Sequence, residues 1–388
     1  MTTLVWVLVF APVALTAYAY VIYPLLLALM VKETRRSPSA TEPREWPAIT
    51  ITIPAYNEEA SIRATIESVL ALDYPSDRRQ ILVISDASSD RTDDIVREFA
   101  SRGVELLRLG SRGGKTAAEN EGGRAARGAI IVNTDASVRI LPASLKPLIR
   151  AFEDPTVGVA SGRDVSVGHA GAETNGGESG YVGYEMSVRA LETRLGSIVG
   201  ASGCFYGIRR EIHDTHFPEE LSRDFASALM AREHGLRSVS VDEAICVVPR
   251  TTSVRAEYRR KTRTMARGLE TLWFKRHLLN PFRHGVFAFM LLSHKMCRWL
   301  VYVTLPVSLL ALSVAASSSR IATALLGALL LGLALGAVGM LWPEGRPAPR
   351  LVALAGFILA SNLAGLAAWR RAMGRERSPT WEPTRRPA

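Results

Sequence analysis

Three short apolar runs in the first part of the chain each lead into an acidic group. ITITIPAYNE reaches Glu58, QILVISD ends at Asp86 and AIIVNTD ends at Asp135. One acidic residue at the exit of a strand is ordinary turn chemistry, but three in register suggest a single cleft. A cation lies close by in RGGKT, where Lys115 can face a phosphate as a point charge. A phosphate-binding loop of the form G-x-x-x-x-G-K-[ST] would need glycine at 109, and the residue there is Leu109, so that motif is absent. Gly113 and Gly114 still permit the backbone to approach a ligand. The plainer readings are a strand that ends in a turn at Asp135 and a solvated loop lysine at 115.

These residues must be positioned by regular elements, and the pattern alternates between about Pro47 and Arg250. ITITIP reads as a strand, and NEEASIRATIESVLALD as a helix with Ile62, Ile66, Val69 and Leu70 on one face. QILVISD is a strand, and RTDDIVREFASRG a helix closed by a glycine cap. VELLRL, the short helix KTAAENEGGRAARG and the strand AIIVNTD follow. Continuous apolar strands alternating with helices predict a mostly parallel, Rossmann-like sheet covered on both faces. Ligands of such sheets bind beyond the carboxyl ends of the strands, where Tyr56, Glu58, Asp86 and Asp135 fall.

The flanks differ in kind. Of 388 residues 48% are hydrophobic, and the formal charge is +10. Leu4 to Val31 carries no charge and exceeds the roughly 20 residues needed to cross a bilayer. Without a basic leader, and with so long an apolar run, it does not read as a signal peptide. Lys32, Arg35 and Arg36 follow at once and assign that end to the cytoplasm. Trp299–Ala316, Ile321–Leu341 and Leu351–Trp369 are three further candidate spans. One span before the domain and three after it would put the arginine-rich tail outside, against the charge bias. Either the tail violates that bias or one segment is in-plane or re-entrant. The resulting division is an N-terminal transmembrane helix (1–31), an α/β domain (47–250), interfacial amphipathic helices (251–298), C-terminal transmembrane helices (299–370) and a basic tail (371–388). Cys204, Cys246 and Cys297 are widely separated, which argues against a zinc site or disulfide framework. His169, His213, His216 and His234 form no metal-binding spacing.

In order along the chain, these segments resemble the motifs of family 2 glycosyltransferases of the GT-A fold. IPAYNEEASI resembles the opening motif. VISDASSDRTDDIV resembles the nucleotide-binding D-D-G-S-x-D-x-T segment, with Ser85 and Ala87 replacing its first aspartate and its glycine. GGKTAAENEG resembles G-K-x-x-A-L-N, NTDAS occupies the D-x-D position, and GASGCFYGIRRE resembles a glycine-rich acceptor-side segment. SRDFASALMAREHGLRSV resembles the segment that carries the catalytic base. EYRRKTRTMARGL sits where processive members carry Q-x-x-R-W. The likeness runs from about Ile51 to Trp273. SHKMCRWL and SPTWEPTRR extend it toward membrane synthases of the poly-N-acetylglucosamine, cellulose and hyaluronan kind.

The resemblance implies an inverting, metal-dependent hexosyltransferase that takes a sugar from a UDP-sugar. A divalent cation neutralises the leaving diphosphate, and Mg²⁺ or Mn²⁺ suits oxygen ligands. Asp135 is the implied metal ligand, with Ser137 replacing the second aspartate. Pro54, Ala55, Tyr56, Glu58 and Asp86 would surround the nucleoside, with Lys115, Arg260 and Arg263 toward the diphosphate. Asp224 is the implied general base, a role worth about 10²–10⁴-fold. Its plainer reading is a helix cap or first-turn aspartate. Arg223, beside it, would lower its pKa or bind an anionic acceptor or phosphate. GHAGAETNGGESG (168–180) reads as a mobile loop and candidate lid.

The implied setting is the inner (plasma) membrane, multi-pass, with a cytoplasmic catalytic domain. The implied acceptor is a growing polysaccharide, or alternatively a lipid that receives a single sugar; Thr264, at the tryptophan position of Q-x-x-R-W, weakens processivity. Membrane lipids are the expected partners of the basic flanks. No nucleic-acid module is recognisable. A transporter is disfavoured because the spans after Trp299 carry almost no charge except Arg320. Whether a partner subunit is needed is not legible.

Overall fold

The computed structural model describes residues 2–31, 45–167, 176–214, 217–249, 254–343, 346 and 348–374. These residues divide into two compact units, one made of those within 30–250 and the other of those within 1–29 and 251–374.

The first unit is built on one eight-stranded sheet. Its strands are β1 (Ile49–Ala55), β2 (Arg79–Ser85), β3 (Val104–Arg108), β4 (Ile130–Thr134), β5 (Arg139–Ile140), β6 (Val157–Val167), β7 (Phe205–Arg209) and β8 (Arg237–Pro249). The spatial order is β3-β2-β1-β4-β7-β6-β8-β5. The first four are parallel, as the alternating pattern predicts. Beyond β4 the sheet is mixed: β7 runs antiparallel to both β4 and β6. All seven residues of β1 are buried, because helices cover both faces. Ile49, Ile51 and Ile53 pack with Ile62, Ile66 and Val69 of the Ile62–Leu70 helix in the main core, each such burial contributing about 1.5–3 kcal/mol. On the other face Thr50 and Thr52 donate to Gln80 Oε1 and Asn133 Oδ1, both at 2.8 Å, so the polar groups of a fully buried strand are satisfied.

Registers then place the strand ends. Ala55 pairs with Ser85, and Thr52 with Asn133. The residues after β1, β2 and β4 therefore leave the sheet along one edge. Of the expected lid, residues 168–175 lie outside the described residues, and 176–180 open the Gly176–Leu195 helix rather than continuing a loop.

The second unit is helical. Among the described residues four helices are long and apolar enough to cross a membrane: Thr3–Met30, Val286–Ala316, Arg320–Leu341 and Arg350–Gly374. The second begins well before Trp299, because Val286–Leu291 runs through a π-helical stretch at Leu292–Cys297 into Arg298–Ala316. The first packs on it through Val9, Ala311, Leu312 and Ala315. Gly339 and Gly356 let the last two helices approach at backbone distance. The Val254–Phe274 helix belongs to this unit. The tail beyond residue 374 lies outside the described residues.

Candidate active site

Asp86 follows β2, its N–H extending the pairing to Ala55 O at 2.8 Å. Its carboxylate is fully buried and accepts Gly113 N–H at Oδ1 (2.7 Å) and Gly114 N–H at Oδ2 (2.8 Å). The glycine loop therefore meets this carboxylate rather than lying open to a ligand. Gly114, at φ +94°, turns the chain into the Lys115–Ala125 helix, a conformation that glycine adopts without a Cβ clash. Asp86 thereby sets where Lys115 begins.

Lys115 reaches across the strand ends. Its Nζ donates to Asp135 Oδ1 at 2.6 Å and to Gly203 O at 3.2 Å, with Glu119 Oε1 at 3.9 Å. Burial works against the ammonium, but Asp135, Glu119 and Asp224 together hold its pKa above the ordinary lysine value. Asp135 is partly exposed at 28%, in a turn closed by Val138 N–H to Asp135 O.

Asp224 comes from a later segment, in the first turn of the Arg223–Glu233 helix. The Lys115 helix holds the segment that precedes it: Thr116 Oγ1 donates to Leu221 O at 2.8 Å and Asn120 Nδ2 to Phe217 O at 2.9 Å. Ser222 is the cap residue of the Arg223–Glu233 helix, and Asp224 lies in its first turn. Asp224 Oδ1 accepts from Ser222 Oγ and from Phe225 N–H. Gly203 completes the junction, for a β-carbon there would collide with Asp224 Oδ2. Thr134 Oγ1 ties this loop to β4 through Cys204 O at 2.9 Å. Asp135, Lys115, Gly203 and Asp224 are thus consecutive neighbours.

Arg223 does not face the cleft. It is buried, donates to His213 O at 3.0 Å and to Asn120 Oδ1, and lies over the Phe217 ring. It braces the segment leading to Asp224 and is not presented to an anionic acceptor. Asn120, noted in sequence as part of a motif, shares this bracing role.

Around Tyr56 the loops after β1 and β2 are zipped together. Asn57 N–H donates to Ser88 Oγ, Ser89 N–H to Asn57 Oδ1, and Glu58 N–H to Thr92 Oγ1. Glu58 Oε2 accepts from Ser61 Oγ at 2.5 Å. Arg112 stacks on the Tyr56 ring at 3.9 Å. Pro54 and Ala55 are buried at the end of β1. Arg260 and Arg263 lie in the other unit, on the Val254–Phe274 helix, where Arg260 makes a two-pronged pair with Glu257 at 2.7 and 2.8 Å. Sequence reasoning did not single out Arg112, Glu119, Gly203 or Tyr206. Each lay inside a quoted segment, but the partners of Arg112 and Gly203, which are Tyr56 for the first and Lys115 and Asp224 for the second, are remote in sequence.

No group of three or more His, Cys, Asp or Glu residues able to hold a metal occurs among the described residues. Asp135 offers one accessible carboxylate. That donor set fits a cation that brings phosphate and water ligands with it, not a protein cage.

Residues 50–217 match the profile of glycosyl transferase family 2, and the chain contains a domain of that family. It is similar to a beta-monoglucosyldiacylglycerol synthase of Synechocystis, 27% identical over 162 residues, which is 40% of this chain and 34% of that protein. It is also similar to a poly-beta-1,6-N-acetyl-D-glucosamine synthase of Staphylococcus epidermidis, 31% identical over 124 residues, 31% of this chain and 30% of that protein. The chain thus spans about a third of the length of these relatives. Among solved structures it resembles the mannosyltransferase PcManGT of Pyrobaculum calidifontis, in complex with GDP-Man and Mn²⁺. The TM-score is 0.72 at 23% identity, over 95% of this chain and 99% of that one. The mostly parallel sheet has the GT-A architecture.

Proposed function

We propose that this protein transfers a sugar from a UDP-sugar, with inversion, to a growing polysaccharide at a membrane. The observation that carries the reading is the run of contacts from Asp135 through Lys115 to Gly203 and Asp224 at the carboxyl ends of the parallel strands. Asp135 holds the ammonium directly and Asp224 stands beyond Gly203, which suits a reaction that removes a proton on one side and releases a diphosphate on the other.

In the proposed reaction Asp224 accepts the proton of the acceptor hydroxyl through Oδ2. The freed oxygen forms a bond to the anomeric carbon as the bond from that carbon to the diphosphate oxygen breaks. The nucleoside diphosphate leaves with the bonding pair. Lys115, already held toward Asp135, meets the charge that develops on it. Asp135 would hold the divalent cation, Mg²⁺ or Mn²⁺, whose chemistry is to neutralise the diphosphate. Tyr56, Glu58, Asp86 and the strand end at Pro54 and Ala55 are the proposed nucleoside side, and Arg260 and Arg263 the proposed further diphosphate contacts. Arg260 must then exchange its pairing with Glu257 for phosphate. The cations after residue 31 favour a cytoplasmic catalytic domain at the inner membrane, with lipids against the apolar helices.

A second reading is transfer of one sugar to a lipid or polyprenyl-phosphate acceptor. Thr264, exposed where processive relatives carry tryptophan, favours it, as does the name of the Synechocystis relative. UDP release and product sizing from protein in lipid, with a panel of UDP-sugars, separate the two. Long ladders support polymerisation, and a single lipid-linked product supports the second reading.

A further inference from the structure

We infer that Glu119 is a positioning residue, a second seat for the Lys115 ammonium when the donor's diphosphate and its cation claim Asp135. The inference rests on the reading of this cleft as a nucleotide-sugar site.

Glu119 lies one turn after Lys115 on the same helix, and its carboxyl points at the same ammonium from the protein side. It is 1% exposed, and Oε1, the atom 3.9 Å from Lys115 Nζ, has no hydrogen-bond partner. A buried carboxyl oxygen without a partner is costly, and the G-K-x-x-A-L-N pattern that this segment resembles has leucine at the position. A swing of about 1 Å by Nζ would bring it to charge-assisted hydrogen-bond distance. In the structure Asp135 has Lys115 as its partner, at 2.6 Å. Once Asp135 is engaged elsewhere, Glu119 is the nearest carboxylate able to keep the ammonium at the strand ends.

The groups facing Glu119 are Lys115 on its own helix, Arg223 and Asp224 from the Arg223–Glu233 helix, Asp135 after β4, and Tyr206 on β7. His213 lies against Gly123 near the far end of the helix. Burial lifts the Glu119 pKa to about 7, against the pull of Lys115 and Arg223 and with repulsion from Asp224 and Asp135. The seat is therefore strengthened as pH rises through neutrality.

The test uses the full chain in lipid, with Glu119→Gln and Glu119→Leu beside wild type. Affinity for UDP and for GDP with Mn²⁺ is measured by calorimetry from pH 6 to 8.5, together with KM, kcat and the melting midpoint. Glu119→Gln is expected to bind about tenfold more weakly at pH 8.5. It is also expected to lose part of the pH dependence of wild type; the slope that remains belongs to the phosphate itself. The melting midpoint should change little, and Lys115→Ala should abolish the difference between Glu and Gln at 119. Wild-type affinity and pH slope in Glu119→Gln would overturn the inference. So would a loss of melting midpoint and kcat at unchanged KM, which marks a merely structural carboxyl. A wild-type protein that binds neither nucleotide would overturn the inference and the proposed function together. Normal binding with no difference at 119 sinks the inference alone.

Discussion

Lys115 Nζ lies 2.6 Å from Asp135 Oδ1, joining a helix start to a strand end twenty residues later. The ammonium occupies the edge at which β1, β2 and β4 all terminate. It makes the carboxylate and the cation one unit, so substitutions on either side are expected to act on the donor rather than on the fold.

Asp135→Ala should remove the metal-dependent part of donor binding. The expected outcome is an affinity for nucleoside diphosphate that Mn²⁺ no longer improves, read by calorimetry with and without the ion. An undiminished response to Mn²⁺ would place the ion elsewhere.

Asp224→Asn should cost about 10²–10⁴-fold in transfer, the usual worth of a general base. The amide oxygen can keep the hydrogen bonds from Ser222 and Phe225, so folding and nucleotide affinity should hold. Wild-type turnover in this variant would refute the assignment.

Gly203→Ala tests the junction from its other side. The added carbon meets the Asp224 carboxylate, and a displacement of order 1 Å can cost about 10²-fold in rate. Turnover should fall by about that factor with nucleotide affinity within threefold of wild type, measured on the same preparation.

Ala87 carries φ +56° immediately after Asp86. A left-handed alanine costs about 1–2 kcal/mol, partly offset by the greater chain entropy of glycine. Ala87→Gly is expected to raise stability by roughly 0.5–1 kcal/mol, visible as a melting midpoint a few degrees higher. A lower midpoint would show that the strain is relieved by contacts of the methyl.

His213 is buried with neither ring nitrogen hydrogen-bonded. Burial, then the charge of Arg223, holds its pKa well below the ordinary histidine value. As pH falls below about 6.5 the unfolded chain takes up a proton that the folded one does not. Stability should therefore decline from that pH downward, by up to about 1.4 kcal/mol per unit. Melting midpoints at pH 7.5 and 5.5 should converge in His213→Leu relative to wild type. An unchanged acid sensitivity would assign it to other groups.

Much of the parallel half of the sheet was legible because periodicity is local. Fully buried strands read as unbroken apolar runs, and the Ile62, Ile66, Val69 spacing marks one helix face. The mixed half was not delineated, because β7 is inserted between β4 and β6 by pairings across remote segments. The membrane helices were visible from length and apolarity alone. The start of the second at Val286 was obscured by Ser293, His294, Lys295 and Arg298, polar residues that lower the local apolar signal.

For the site, sequence determined which charged residues stand at strand ends and helix starts: Glu58, Asp86, Lys115, Asp135 and Asp224. Tertiary structure alone decided their partners. It turned Asp86 inward to the amides of Gly113 and Gly114, sent Arg223 into the interior toward Asn120, and set Gly203 between Lys115 and Asp224. The physical reason is range. Strand exits, caps and apolar periods are set by neighbours a few residues apart, whereas the pairing of a buried charge depends on which distant group the packed helices and strands bring within hydrogen-bonding reach.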